Sequence, residues 1–262
     1  MAKIHATAII DKGASLDSSV EVGPYSVIGP HVRIDAGTKI SSHVIIEGHT
    51  KIGCDNTFFQ FSSIGSAPQD KKYNGEPTSL EIGDRNTVRE FCSFNVGTIQ
   101  DAGVTTIGHD NLMMAYVHIA HDCKIGSHTI FANNATLAGH VEIADWVILG
   151  GFAAVHQFCK VGAHAMLGMN TSLTQDVPPF VMLSGNPAAV YGLNLEGLKR
   201  RGFSREQING IRHSYKLLYK SGLTLAEAKV AIHKAHSEHP LAQQHIHQMQ
   251  VFLDRSTRGL IR

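Results

Sequence analysis

The most regular feature of this chain is a hydrophobic position that returns every six residues. Ile4, Ile10, Leu16, Val22, Ile28, Ile34, Ile40, Ile46, Ile52, Phe58 and Ile64 follow one another at that spacing without a break. The frame lapses, returns at Ile82, Val88 and Phe94, then restarts at Ile107 and runs through Met113, Ile119 and Ile125 to Leu173. Four residues after each large position usually stands a small or β-branched one, as at Ala8, Val20 and Ser26, and again at Cys123, Thr129 and Ala135. A helix needs apolar residues three and four apart and a plain strand alternates indefinitely, so neither produces a sixfold spacing. Short strands separated by corners do, with one large and one small side chain pointing inward per hexad. Glycine often follows the large position, as at Gly23, Gly53, Gly126 and Gly162, where a bend can use its freedom.

A period of this kind outranks local helix and strand signals, because missing it mis-assigns the whole fold. It is the hexapeptide repeat of a parallel β-helix and resembles the left-handed form, in which three hexads close one triangular coil of eighteen residues. Handedness rests on that resemblance, since general crossover rules favour the right hand. Nearly nine coils at about 4.8 Å each make a prism roughly 40 Å long. The lapse from Gln69 to Glu81, which holds Gly75 and Pro77, reads as an extruded loop, and a second excursion lies near Thr98 to Thr106. Loops expelled from a rigid coil commonly contact a ligand or a neighbouring subunit; the alternative is a tolerated surface insertion.

The hexads stop near Pro178 and Pro179, and beyond Gly185-Asn186-Pro187-Ala188 the pattern becomes helical. Ser204 with Gln207 and Thr224 with Glu227 match capping boxes, so helices are predicted to start at those two places. A further helix is predicted from Pro240 towards Asp254. The expected architecture is mainly β: a left-handed β-helix over residues 1–187 and a small helical domain over 188–262.

Coiling turns sequence distance into geometry. Residues eighteen apart become stacked neighbours about 4.8 Å away, which sets His121 beside Gly139 and then Gln157, and Asp122 beside His140. His118, His121, Asp122, His140, His156 and Gln157 therefore gather at corner or outward positions within three coils. Imidazole titrates near neutrality and can take a proton from an alcohol and return it to a leaving group. Asp122 would fix the tautomer of His121, and the Gly139 amide could meet an oxyanion. Two other readings stay open on spacing alone: ordinary surface histidines in a chain that has 17 of them, and a zinc site. Cys123 and Cys159 occupy small inward positions and are expected to be core rather than nucleophiles.

Composition narrows the field. In 262 residues, 23 Lys and Arg nearly balance 22 Asp and Glu, and 43% are hydrophobic, which argues against disorder and against a nucleic-acid coat. The 4 cysteines form no Cys-x-x-Cys pair and no apolar leader opens the chain, so the cytosol is the expected compartment. No transmembrane segment is expected either. Lys199, Arg200, Arg201, Arg205, Arg212, Lys216 and Lys220 meet one acid, Glu206, a patch suited to pyrophosphate or an acidic protein, or merely a solvated face.

Four strings sharpen this. His118-Ile119-Ala120-His121-Asp122-Cys123, Asn133-Asn134-Ala135-Thr136-Leu137-Ala138-Gly139-His140-Val141, Val155-His156-Gln157-Phe158 and Asn194-Leu195-Glu196-Gly197-Leu198-Lys199-Arg200-Arg201-Gly202-Phe203-Ser204 closely resemble the acyl-carrier-protein-dependent UDP-N-acetylglucosamine O-acyltransferases that begin lipid A biosynthesis. The likeness extends over essentially the whole chain to Ser256-Thr257-Arg258-Gly259-Leu260-Ile261-Arg262. The resemblance implies a homotrimer with sites in clefts between subunits. It makes His121 the general base on the glucosamine 3-hydroxyl, Asp122 its orienting partner and Gly139 the oxyanion donor. The acyl group is a (3R)-hydroxyacyl chain on acyl carrier protein. Gln69, Asp70 and Lys72 would bind the sugar and phosphates of UDP-N-acetylglucosamine, His118, His140, His156 and Gln157 would line the cleft, and Asn194, Glu196, Arg200 and Arg201 would hold the nucleotide end. No metal or dissociable cofactor is implied, although the donor carries a phosphopantetheine arm.

Two positions are particular to this chain. Met169 lies where some members have glycine, on the order of 12 Å along the axis from His121; its thioether is expected to shorten the groove and favour an acyl chain of about ten to twelve carbons by volume exclusion. The alternative is that Met169 packs the trimer interface. At Phe94-Asn95-Val96 many relatives carry Ile-His-Arg, so the roles of those two polar groups do not transfer. A β-helical zinc enzyme and a purely structural β-helix are the competing classes; the second would show flat threonine faces, which this sequence lacks.

Overall fold

Each hexad folds into a two-residue strand and a turn. Lys3–Ile4, Ile9–Ile10 and Ser15–Leu16 open the series in a computed structural model that describes residues 2–262. Every third strand pairs in parallel, Lys3 with Glu21 and Ile4 with Val22, so sheets of eleven, nine and eight strands form the faces of a triangular prism. Face one begins at Lys3–Ile4, face two at Ile9–Ile10 and face three at Ser15–Leu16. The inward large positions make the core, with Phe58, Phe94 and Phe131 fully buried, and the small ones, such as Val20, Thr38 and Ala135, fill the corners behind them. Where the small inward residue is Asn56, Asn86 or Asn111, its Oδ1 accepts the backbone N–H one coil on at 2.7–3.0 Å, so no buried carbonyl is left unpaired there.

The corners repeat one backbone solution. Asp122, His140 and Phe158 stand above one another with φ of 59°, 63° and 65°, the left-handed region that side chains other than glycine resist. Coil-to-coil bonds hold them there, His140 N–H donating to His121 at 3.0 Å and Phe158 N–H to Gly139 at 3.2 Å.

Two coils are enlarged. Pairing of Ser63 with Ser93 lengthens the step from 18 residues to 30, and pairing of Ser93 with His118 takes 25. The first loop occupies residues 67–78, because Ser79–Ile82 is already a strand paired with His49–Ile52. Ser79, Leu80 and Glu81 were expected inside the loop; Leu80 is fully buried at the small inward position, which a frame built on the large residues passes over. The second loop is likewise shorter at its end, since Val104–Ile107 is a strand with Thr105 buried.

Val181–Ser184 extends face one, and Ala189–Leu193, past residue 187, folds back antiparallel beside it. Helices follow as α1 (Leu195–Arg200), α2 (Arg205–Tyr219), α3 (Leu225–Glu238), a 3-10 turn Pro240–Ala242 and α4 (Gln243–Arg255). Both capping boxes form, Ser204 with Gln207 and Thr224 with Glu227. The C-terminal tail returns to the last coil, where buried Asp176 accepts from Ser256 Oγ at 2.8 Å and from the Thr257 and Arg258 amides at 2.9 and 3.1 Å. Among the described residues no helix is long and apolar enough to cross a membrane.

Candidate active site

The edge between faces two and three carries the candidate site. His118–Ile119 is a strand of face two, and the turn that follows it throws His121 and Asp122 onto the edge. Asp122 is buried, and His121 Nδ1 lies 2.8 Å from its Oδ2. Thr98, in the second loop, donates its N–H to Asp122 Oδ1 at 2.9 Å and its hydroxyl to Oδ2 at 2.6 Å. The Asp122 N–H in turn donates to Thr105 Oγ1 at 2.8 Å. Burial by itself would raise the Asp122 carboxyl, but the hydrogen bonds from His121 and Thr98 outweigh it and hold the group below the usual carboxylate range. A carboxylate fixed in this way keeps the proton on His121 Nδ1 and leaves the Nε2 lone pair free.

Gly139 sits one coil above, and a Cβ there would fall 2.7 Å from His121 Nε2 and 2.5 Å from Cε1. Glycine at this position lets the ring lie against the backbone. His140 meets the His121 ring edge-on at 5.0 Å, stacks on Phe158 at 4.4 Å, and places Nδ1 3.0 Å from Asp101. His118 Nδ1 bonds Ser93 Oγ at 2.8 Å, and burial pushes its pKa down. Beside this edge, face two carries a groove of about 430 Å³ whose floor is His118, Thr136, Ala154 and Ser172, with His121, Gly139 and His156 along it and Gln69 reaching in from the first loop.

The other expected residues are distributed differently. Gln157 is exposed on the edge above Gly139, and His156 bonds the Gln157 carbonyl at 3.2 Å. Asp70 spends Oδ1 on the Lys72 N–H at 3.0 Å, while the Lys72 side chain is exposed. Met169 stands on the opposite border of face two, between that face and face one, and is 67% exposed. Glu196 and Arg200 are exposed on α1, while Asn194 and Arg201 lie against the third edge, between faces three and one. There Asn194 caps α1 and donates to the His164 carbonyl at 3.0 Å. Arg201 donates to the Trp146 carbonyl at 2.9 Å and to His164 Nδ1 at 3.2 Å. Glu196 pairs with Lys199 at 2.7 Å. One chain thus does not bring this group to His121, and three of its four side chains already have partners within the chain. Thr98, Asp101 and Thr105, which complete the dyad's surroundings, were not singled out from the sequence beyond the excursion near Thr98 to Thr106.

His121, Asp122 and His140 also offer three ligand atoms within 4.8 Å of one another, enough for a metal. Asp122 Oδ2 is already occupied by Thr98 and His121, so an ion would have to displace both.

A left-handed hexapeptide coil with an edge-mounted imidazole–carboxylate pair over an open groove defines an acyltransferase of the hexapeptide-repeat class, and residues 105–139 match the model for bacterial transferase hexapeptide repeats. Residues 176–261 match the model described as UDP N-acetylglucosamine O-acyltransferase, domain 2. An acyl-(acyl-carrier-protein)–UDP-N-acetylglucosamine O-acyltransferase of Herminiimonas arsenicoxydans is 60% identical, with 100% of both chains covered. The structure of LpxA from Acinetobacter baumannii superposes with a TM-score of 0.94 at 49% identity, and that of UDP-N-acetylglucosamine O-acyltransferase from Moraxella catarrhalis with 0.95 at 46%, each covering 99% of both chains. The chain belongs to this family of O-acyltransferases.

Proposed function

We propose that this protein transfers a (3R)-hydroxyacyl group from acyl carrier protein to the 3-hydroxyl of UDP-N-acetylglucosamine, the first step of lipid A biosynthesis, by general-base catalysis in the cytosol. The carrying observation is the His121–Asp122 contact at 2.8 Å beside Gly139. Nε2 of His121 removes the hydroxyl proton as the sugar oxygen attacks the thioester carbon. The oxyanion that forms faces the Gly139 N–H. Collapse breaks the carbon–sulfur bond, and the departing thiolate takes the proton back from His121. A covalent acyl-enzyme is not required. In support, burial pushes the Cys92 and Cys123 thiols up to about 12 and Cys159 up to about 11, which leaves them inert as nucleophiles.

The active assembly is a homotrimer in this reading. The edge between faces one and two exposes a ladder of Tyr25, Phe61, Phe91, Tyr116 and Phe152, with Phe91 and Tyr116 stacked at 4.8 Å. An apolar stripe of that length favours burial against a second copy. A neighbour would also supply the groove's missing wall and bring Arg200 of its own α1 towards the sugar nucleotide. No dissociable cofactor enters the scheme.

Mixing the purified protein with UDP-N-acetylglucosamine and a ladder of hydroxyacyl carrier proteins, then weighing the product, tests the reading. One O-acylated sugar nucleotide is expected, at a rate unchanged by a chelator and about a thousandfold lower in a folded His121→Ala variant. A rate in that variant within tenfold of the parent would sink the general-base role.

A further inference from the structure

Four consecutive residues below the groove tie three separate parts of the site together. Asn95 is 3% exposed, and its Nδ2 donates to the carbonyls of Ser66 at 3.4 Å and Ala67 at 3.1 Å, where the first loop leaves the coil. The Val96 N–H donates to the same Ser66 carbonyl at 3.1 Å, and the Gly97 N–H donates to Ser79, where the loop returns, at 3.0 Å. Thr98 then makes its two bonds to Asp122. At position 97 a Cβ would run into the Gly103–Val104 backbone, so the segment can pass there only as glycine.

We infer that Asn95 is a positioning residue: its amide clamps the start of the first loop so that Gln69, two residues beyond Ala67, is held over the groove in fixed register with the His121–Asp122 pair. The inference rests on the function proposed above and adds a residue to it. Both loop carbonyls are acceptors only, so the amide must turn its NH2 towards them. Its Oδ1 is then left without a hydrogen-bond partner among the described residues, the one buried side-chain oxygen or nitrogen in that condition. A fold that needed only packing here would be served better by an apolar side chain, because a buried unpaired acceptor is destabilising. Retaining asparagine is explained by what the NH2 holds.

The deciding variant is Asn95→Leu, which keeps the branched shape, removes the clamp and removes the orphan acceptor. With donor saturating, the KM for UDP-N-acetylglucosamine is expected to rise about tenfold while kcat changes much less. The melting temperature should hold or rise, and amide hydrogens of residues 67–78 should exchange faster. Asn95→Asp, which sets a carboxylate against two carbonyls, should raise KM further, and Asn95→His, with one donor, should recover part of the loss. An unchanged KM overturns the inference, and so does a fall in melting temperature that accounts for the lost activity, since that is a packing role. The exchange measurement needs no turnover: if the parent fails to acylate the sugar nucleotide, the functional reading fails, while faster loop exchange in Asn95→Leu still upholds the clamp and unchanged exchange still removes it.

Discussion

His140 and His164 occupy the same place in the repeat, the second corner residue of a hexad, with φ of 63° and 61°. Their surroundings differ completely. His140 holds Asp101 at 3.0 Å and meets the His121 ring edge-on at 5.0 Å. His164 is packed among Phe180, Phe203 and His245, with Arg201 donating to its Nδ1, and burial followed by the Arg201 charge pushes its pKa down to about 4. One residue type on one backbone conformation is a polar member of a site at one edge and a neutral packing element under the helices at the other. The hexad fixes where the side chain leaves the coil; what covers that edge decides its chemistry.

The contrast predicts separable losses. Asp122→Asn keeps the shape of the dyad but removes the charge that holds the His121 tautomer, and kcat should fall about a hundredfold with little change in melting temperature. Steady-state kinetics and a thermal melt on the same sample check this; a fall in melting temperature matching the fall in rate would mean that the edge is structural after all. At the border of face two, Met169→Gly should move the preferred donor to a longer chain, with about a tenfold change in relative rate between donors two carbons apart. An unmoved optimum across the donor series would remove Met169 as a ruler and leave it as an interface residue.

The smallest effect belongs to the third edge. A histidine kept neutral in the fold takes up a proton when unfolded, so its contribution is present above about pH 6.5 and is lost as pH falls towards the folded value of about 4. Discounted for partial exposure, the loss should be about 1–2 kcal/mol. His164→Phe keeps the stacking and should flatten the melting temperature between pH 7 and 4.5 without altering kcat at pH 7.5. An acid slope identical in both proteins would show that other groups carry it.

Much of the candidate edge was legible beforehand because coiling makes distance periodic. Eighteen residues from His121 to Gly139 is contact, and the pair of rings at His121 and His140 follows from spacing and one corner rule. Thr98 and Asp101 were not legible, since they reach Asp122 and His140 from a loop whose length breaks the register. For the same reason Ser79–Glu81 could be mistaken for loop: one lapsed large position hides a strand that Leu80 still anchors. The group near α1 shows the opposite limit. Asn194 and Arg201 are polar residues of the kind that bind phosphates, yet their donors are spent on the Trp146 and His164 carbonyls and the His164 ring.

By itself the order of amino acids determined the coil, its three faces and which side chains stand at corners, because inward burial of one large and one small residue per hexad admits one periodic solution. Only the tertiary structure decided what surrounds each corner. The surroundings differ from edge to edge, a loop threonine bonded to a carboxylate on one side and a helical domain excluding water on another. Such contacts join residues whose separation follows no period.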